Sequence, residues 1–260
     1  MKFTVDSATL TDSVNWVSRS LSTRPIMTAL LGIVIDANSD VTLSASDLET
    51  SAKSSFNAEV KEKGRVLVPG RLLAEISRAL PNKPVSFNLD GTRVLVTAGS
   101  AKFTLPTLPI NEYPNLPTLP ETSGEIASDL FAAAVNQVAV AAGRDDSLPT
   151  LTGIHVDISR DTITFAATDR YRLAVREINW NPNNPDLATT ALLRARTLAD
   201  AAKTIASTKN ISFAIAPVTA NERLVGFSTE SKSMTSRQLD GTFPPYRHLL
   251  PSESIATAVI

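Results

Sequence analysis

The sequence predicts an α+β protein with largely antiparallel sheet, built from two copies of one domain. Its landmarks recur in order along the chain, and each copy reads as helix, strands, helix, strands with hairpin-length connections. A proline-rich stretch, residues 106–120, lies between the copies. This order of elements favours an antiparallel α+β domain over a doubly wound fold.

Four groups of residues carry the repeat, and their separations grow from 121 through 122 and 125 to 130 residues. The pairs are 31–36 with 152–157, 45–47 with 167–169, 71–75 with 196–200, and Tyr113-Pro114 with Phe243-Pro244. A steadily growing offset is expected if short loop insertions accumulated in the second copy. We therefore interpret the pattern as an internal duplication.

The first copy opens with a helix predicted over residues 9–20, because Leu10, Val14 and Val17 recur at helical spacing. Ser7 is its expected N-cap. The further elements predicted in this copy are a strand over 32–36, a helix over 69–80 that starts at a proline, and a strand over 85–89 that ends at an Asp-Gly hairpin turn.

The second copy opens with a helix predicted over residues 129–142, with Ser128 as its expected N-cap. The apolar face predicted for it carries Leu130, Ala133, Val138 and Val140. A strand over 161–165, a helix over 194–207 and a strand over 211–215 follow.

Proline resists helix interiors and central strands, so residues 106–120 predict a domain boundary. A second boundary is expected near Pro251. The predicted domains are thus 1–120 and 121–251, and 252–260 would be the stub of a third copy, in which residues 256–260 resemble an opening strand. We therefore expect the natural chain to continue into a third domain.

Composition limits the possible functions. Hydrophobic residues make up 43% and charged residues 20% of the 260 residues, as in an ordinary soluble globular protein. The absence of cysteine excludes disulfides and thiol chemistry, and with no signal-like or membrane-length apolar run we expect a cytoplasmic protein. Because the net charge is −1, any DNA contact must use a local basic surface or be light.

Motifs for catalysis are absent from the sequence. No GxGxxG, P-loop or GxSxG pattern occurs, and His155 and His248 are the only histidines. His155 lies in a strand pattern, where a surface or cross-strand role is expected. Asp47 and Asp169 occupy equivalent repeat positions, which favours turn or cap residues over catalytic carboxylates. We predict a protein without enzymatic activity, cofactor or metal.

Basic residues recur at matching helix positions. Arg71 and Arg78 are seven residues apart and share one helix face, and Arg196 and Lys203 repeat that spacing. An ordinary solvated helix face would give the same pattern. The functional alternative is a basic stripe that follows DNA phosphates without reading bases, since no aromatic residues accompany it.

The segments Thr168-Asp169-Arg170-Tyr171-Arg172-Leu173-Ala174 and Gly241-Thr242-Phe243-Pro244-Pro245-Tyr246-Arg247 resemble the motifs T-D-x-[HY]-R-L-A and F-P-[DP]-Y of bacterial DNA sliding clamps, the β subunits of replicative polymerases. Residues 103–109 and Arg24-Pro25 are also similar. The resemblance implies a non-catalytic processivity factor whose subunits each carry three such domains. Two subunits would close head to tail into a homodimeric ring around duplex DNA, with helices lining the hole and sheets forming the wall.

The resemblance also implies roles for individual residues. The DNA-facing set would be Arg24, Arg71, Arg78, Arg196 and Lys203; the subunit interface Phe103 and Leu105; and the partner-peptide pocket Leu151, Thr168, Arg170, Tyr171, Arg172, Leu173, Pro244, His248 and Leu249. Its expected partners are the polymerase, the clamp loader and repair proteins. Histidine at 248, where many relatives carry arginine, departs from the family pattern.

Two domains alone would be unable to close a ring by the family route, and we expect their peptide binding to be weakened. The alternative function is a protein-interaction scaffold of duplicated α+β domains that never encloses DNA. An enzyme is the third possibility, which a deep pocket with convergent titratable groups would favour.

Overall fold

A computed structural model describes residues 1–22, 25–205, 208–216 and 222–251 and contains the two predicted copies of an α+β domain. The first copy consists of β1 (Lys2–Val5), α1 (Ser7–Val17), β2 (Gly32–Ala37), β3 (Val41–Ser46), β4 (Thr50–Phe56), β5 (Glu59–Glu62), β6 (Gly64–Pro69), α2 (Gly70–Ala79), β7 (Val85–Asp90), β8 (Arg93–Ala98) and β9 (Ala101–Pro106). The second consists of β10 (Thr122–Ala127), α3 (Ser128–Ala139), β11 (Gly153–Ser159), β12 (Thr162–Thr168), β13 (Leu173–Asn179), β14 (Asn181–Pro182), β15 (Ala188–Arg194), α4 (Ala195–Ile205), β16 (Asn210–Ile215), β17 (Leu224–Ser228) and β18 (Lys232–Arg237). Element for element, the two orders are the same, as an internal duplication requires.

The helix starts differ from the predicted caps. Asp6 caps α1, because its carboxylate accepts the backbone N–H groups of Ala8 and Thr9 at 2.9 and 3.1 Å. Ser7 is already the first helical residue. Ser128 is likewise inside α3, and its hydroxyl donates to the carbonyl of Thr208 instead of capping the helix. Both N-cap predictions were wrong.

The buried face of α3 also differs from the predicted one. Val138 is buried, but Leu130, Ala133 and Val140 are exposed. Ala133 and Val140 lie at helical spacing on the solvent face that the exposed polar residues Asp129, Asn136 and Gln137 mark. Phe131 occupies the core instead, with its ring 6.0 Å from that of Phe165.

The two domains share one sheet. The strand orders are β5-β1-β7-β8-β9, β14-β10-β16-β17-β18-β4-β3-β2-β6 and β13-β12-β11-β15. The nine-stranded sheet joins the domains because β18 pairs antiparallel with β4, with Met234 opposite Ala52. Within the described residues, the outer edges of β9 and β13 have no neighbouring strand. By repeat position, β9 corresponds to β18, and β13 corresponds to β4.

Side chains from α1 reinforce this junction. The indole Nε1 of Trp16 donates to the carbonyls of Lys53 on β4 and Ser233 on β18, at 2.9 and 3.3 Å. The ammonium of Lys232 lies 2.7 Å from a carboxylate oxygen of Asp12. The domains are therefore held by main-chain pairing, a shared hydrogen-bond donor and an ion pair.

The helices pack in pairs, α1 against α2 and α3 against α4. The helix pairs and the sheets bury one hydrophobic cluster that extends through both domains. Two smaller clusters lie beneath the segments that follow each domain. None of the helices described is long and apolar enough to cross a membrane.

Candidate functional site

The basic residues predicted on the second helix of each domain point to solvent. On α2, Leu73, Ala74 and Ile76 are buried, which leaves Arg71 and Arg78 exposed. On α4, Leu198, Ala201, Ala202 and Ile205 are buried, which leaves Arg196 and Lys203 exposed. Arg24, also predicted to face DNA, lies outside the described residues.

Carboxylates alternate with these cations, a feature that the predicted basic stripe omitted. Glu75 lies between Arg71 and Arg78, and Asp200 occupies the same place between Arg196 and Lys203. The ammonium of Lys203 lies 4.0 Å from a carboxylate oxygen of Asp200. Each helix face thus carries two cations and one anion, so its positive potential is weaker than that of an uninterrupted stripe.

The helix pairs of the two domains approach each other at the junction. Arg19, just after α1, donates from Nη1 to the backbone carbonyl of Asp200 on α4 at 2.5 Å. A cleft of about 530 Å³ lies between the segment that follows α1 and helix α4, and its wall includes Arg194 and Arg196. The helices therefore follow one another in the order α2, α1, α4, α3 along one side of the protein.

A tight turn between β12 and β13 presents the predicted peptide-binding side chains. One carboxylate oxygen of Asp169 accepts the backbone N–H groups of Tyr171 and Arg172, each at 3.0 Å. The hydroxyl of Thr168 donates to the carbonyl of Arg172 at 2.8 Å, and Arg170 has a φ of 81°. The bond from the Arg172 backbone, more than any other contact, lowers the pKa of the Asp169 carboxyl.

The first domain has the same turn. Asp47 accepts the backbone N–H groups of Glu49 and Thr50 at 3.1 and 2.7 Å, and Leu48 has a φ of 79°. The structure therefore confirms that Asp47 and Asp169 are turn residues.

Residues 239–250, which we call the docked segment, lie beside this turn. Phe243 and Tyr246 are buried against Leu173 and Val175 of β13. The structure thus brings the start of β13 together with a segment that carries the predicted residues Pro244, His248 and Leu249, all of them exposed. Tyr171 is 92% exposed and Leu249 64%, so large apolar groups are left open to solvent here.

The remaining predicted residues are more enclosed. Leu151 is buried in a short 3-10 helix, and its carbonyl accepts the backbone N–H of Gly143 at 2.7 Å. Phe103 is partly buried against the core of its domain, beside the open edge of β9. Leu105 is fully buried in its own domain, so only its main chain is free to meet another strand.

His155 is the residue whose surroundings sequence reasoning missed. Its ring stacks on that of Phe243, with centroids 5.1 Å apart, and Tyr246 meets it edge-on. Nearby, the guanidinium of Arg247 lies 2.6 Å from a carboxylate oxygen of Asp157. Strand alternation predicts the face on which His155 lies, but not that a distant segment covers it.

Across the described ranges, no group of three or more His, Cys, Asp or Glu side chains is arranged to hold a metal ion. The arrangement offers exposed charge and exposed apolar surface, which suit binding.

Comparison with known proteins gives a consistent result. The sequence profile for "DNA polymerase III beta subunit, N-terminal domain" matches residues 1–117, and the profile for the central domain matches 125–245. The Beta sliding clamp of Streptomyces coelicolor is 48% identical over 261 residues, covering 100% of this chain and 69% of its own. That of Micrococcus luteus is 47% identical, covering 100% and 83%. The solved sliding clamp of Bacillus subtilis superposes with a TM-score of 0.88 at 26% identity, covering 98% and 68%.

Proposed function

The chain belongs to the DNA polymerase III beta subunit family, the bacterial sliding clamps, and we propose that its two domains form part of a ring around duplex DNA. The clamp tethers the replicative polymerase and other DNA-processing proteins to their template. The observation that carries this proposal is the edge-to-edge union of the two domains in one sheet, with the four helices in a row along one side.

Ring formation requires the same union to be repeated, and the open edges suit it. The free edge of β9 is equivalent to the edge through which β18 pairs with β4. The free edge of β13 is equivalent to the edge through which β4 pairs with β18. Phe103 holds the repeat position of Met234, which faces Ala52 across the existing junction. We infer that Phe103 and the main chain of 101–106 form the first-domain side of a subunit interface.

The helix side would face the DNA. We propose that Arg24, Arg71, Arg78, Arg196 and Lys203 contact phosphates as the duplex passes. Because a ring holds DNA by enclosure, the contacts need only be weak, and strong counterion release would slow sliding. The carboxylates of Glu75 and Asp200 suit such a surface, since they reduce its attraction for phosphate.

We propose that the apolar surface on the second domain binds short peptide motifs of the polymerase, the clamp loader and repair proteins. The exposed side chains of Tyr171 and Leu249 provide apolar contacts, and polar groups surround them. The complete set is Leu151, Thr168, Arg170, Tyr171, Arg172, Leu173, Pro244, His248 and Leu249.

A topological assay tests the ring. The chain is joined to the part of the Streptomyces coelicolor clamp that lies beyond the matched segment, loaded with a clamp loader on nicked circular DNA, and followed when the circle is cut. Release on cutting is expected, because an enclosing ring slides off a free end. Retention on the linear product would indicate direct binding to DNA. Failure to associate with the circle even when the clamp loader is present would favour the scaffold alternative.

Charge reversal tests the DNA-facing surface. The double substitution Arg71→Glu and Arg196→Glu should reduce loading several-fold, and the reduction should shrink as salt rises. The double substitution Lys63→Glu and Arg160→Glu is the control with the same change of charge, because both residues are exposed in connections between strands and neither lies on a helix. An equal loss in the control would show that the helix faces have no special role.

A further inference from the structure

The segment that follows each domain docks at the same place on that domain. After the first domain, the backbone N–H of Leu108 donates to the carbonyl of Leu67 at 2.8 Å. After the second, the N–H of Leu239 donates to the carbonyl of Leu192, also at 2.8 Å. Leu67 and Leu192 occupy equivalent positions, on β6 and β15.

The two docking sites differ in one chemical respect. In the first domain, Val34 lies opposite Leu67 and is buried in the small cluster that Tyr113 covers. In the second, the equivalent position opposite Leu192 is His155. An apolar contact in one copy is thus replaced by a titratable ring in the other.

We propose that His155 is a positioning residue for partner binding: its neutral ring holds the docked segment against the sheet, so the peptide-binding surface comes apart as the ring is protonated. The second part of this inference depends on the proposed function of that surface. The docking itself does not.

The aromatic contacts explain why the ring matters. Phe243 and Tyr246 are the buried residues of the docked segment, and both touch His155. The exposed residues Pro244, His248 and Leu249 lie within or just after this pair. If the two aromatic side chains leave the sheet, the exposed residues lose their position relative to the 168–172 turn.

Several charged groups surround the ring. Asp157 is on its own strand, Glu177 lies on the same face of β13, Arg194 lies at the end of β15, and Arg247 comes from the docked segment. Arg247 and Asp157 pair with each other at 2.6 Å. The pair largely cancels its own field at the ring, which leaves desolvation as the dominant influence.

Burial lowers the pKa of His155 from its ordinary value of 6.5, the charge of Arg247 lowers it further, and Asp157 opposes both. When the segment undocks, the ring meets water and its pKa returns toward 6.5. Docking is therefore strongest above that value and weakens as the pH falls below it, because the undocked form binds the proton more tightly.

Hydrogen exchange on the 260-residue chain tests the docking step directly. The amide of Leu239, which donates to Leu192 on the sheet, reports on the docked segment, and that of Leu108 reports on the equivalent site without histidine. Between about pH 8 and about pH 5, protection at Leu239 should fall by up to roughly tenfold per unit of pKa difference, after correction for intrinsic rates. Protection at Leu108 should not change.

Two variants distinguish the contributions of His155 and His248 to the pH dependence of docking. His155→Val introduces the residue of the first domain and should abolish the pH step at Leu239, whereas His248→Gln should leave the step in place. Equal pH behaviour at Leu108 and Leu239, or a step that persists in His155→Val, would overturn the inference.

Peptide affinity tests the functional part. The probe is a hexapeptide with leucine and phenylalanine anchors, labelled with tetramethylrhodamine because that dye does not titrate in this range, and its anisotropy is measured over the same pH range. Affinity should weaken in acid for the unsubstituted chain and stay level for His155→Val. An exchange step without peptide binding at any pH would contradict the proposed surface while supporting the docking role of His155. Peptide affinity that does not change with pH would contradict the link between docking of the segment and peptide binding.

Discussion

Replacement of Trp16 by phenylalanine should weaken the junction between the two domains. The indole N–H of this buried residue donates to one carbonyl on β4 and one on β18. Phenylalanine preserves an aromatic ring but has no donor. Both carbonyl groups would then lose a hydrogen bond at the place where the two domains meet.

The size of the effect follows from two contributions. Leaving buried acceptors without this donor costs about 1–3 kcal/mol. The smaller ring buries roughly 40 Å² less surface, which at about 25 cal/mol per Å² adds about 1 kcal/mol. We expect Trp16→Phe to lower the free energy of unfolding by about 2–4 kcal/mol, and Trp16→Ala to lower it by about 3–5 kcal/mol.

Urea unfolding followed by circular dichroism measures this change. Gln137 holds the position of Trp16 in the second copy and is exposed, so Gln137→Ala is a matched control that should stay within about 0.5 kcal/mol of the unsubstituted chain. If Trp16→Phe also falls within about 0.5 kcal/mol of the unsubstituted chain, the indole N–H does not hold the junction.

Three further substitutions probe single contacts. Gly241 has a φ of 111°, and an added Cβ would lie 2.5 Å from the Cγ2 of Thr150. Gly241→Ala should therefore destabilise the docked segment by about 1–3 kcal/mol, measured by hydrogen exchange at the Leu239 amide. Adding Thr150→Ser removes the Cγ2 and should restore part of the loss. The pKa of Asp169 is lowered from 3.8, so its carboxylate stabilises the turn above about pH 4 and ceases to do so as the pH falls through the folded value; Asp169→Asn should remove this acid transition from the NMR signals of the turn. Asp12→Asn should cost less than about 1 kcal/mol in urea unfolding, because Asp12 is largely exposed although its ion pair with Lys232 is short; a larger loss would mean that the pair is screened from water.

Much of the fold could be predicted because the chain contains two copies of one domain, so that each copy supports the assignment of elements in the other. The recurrence of landmarks defined the domain, and the strand patterns at 32–36 and 85–89 match β2 and β7 closely. Helix faces were predictable where polar residues mark one side, as on α1. On α3 the exposed polar residues Asp129, Asn136 and Gln137 also mark one side, and the prediction was wrong because it selected apolar residues without reference to them.

The site was less accessible from sequence, for a different physical reason. Basic residues at matching positions on α2 and α4 were visible in the repeat, but the carboxylates between them change the surface and were overlooked. The contact between His155 and Phe243 joins residues 88 positions apart in the chain. Nothing in the local spacing of either residue encodes a contact of that range. Comparing the two copies position by position, with Val34 against His155, is the sequence signal that would have drawn attention to it.

The shared nine-stranded sheet also imposes an order on folding. Its central pair joins β4 of the first domain to β18, the last strand of the second, so closing it requires a loop of residues 57–231, which contains the rest of the first domain and nearly all of the second. During synthesis this edge of β4 remains unpaired until residues 232–237 have left the ribosome. Its sequence, Thr-Ser-Ala-Lys-Ser-Ser-Phe, is rich in serine and carries an exposed lysine, features that discourage pairing with the wrong chain during that interval.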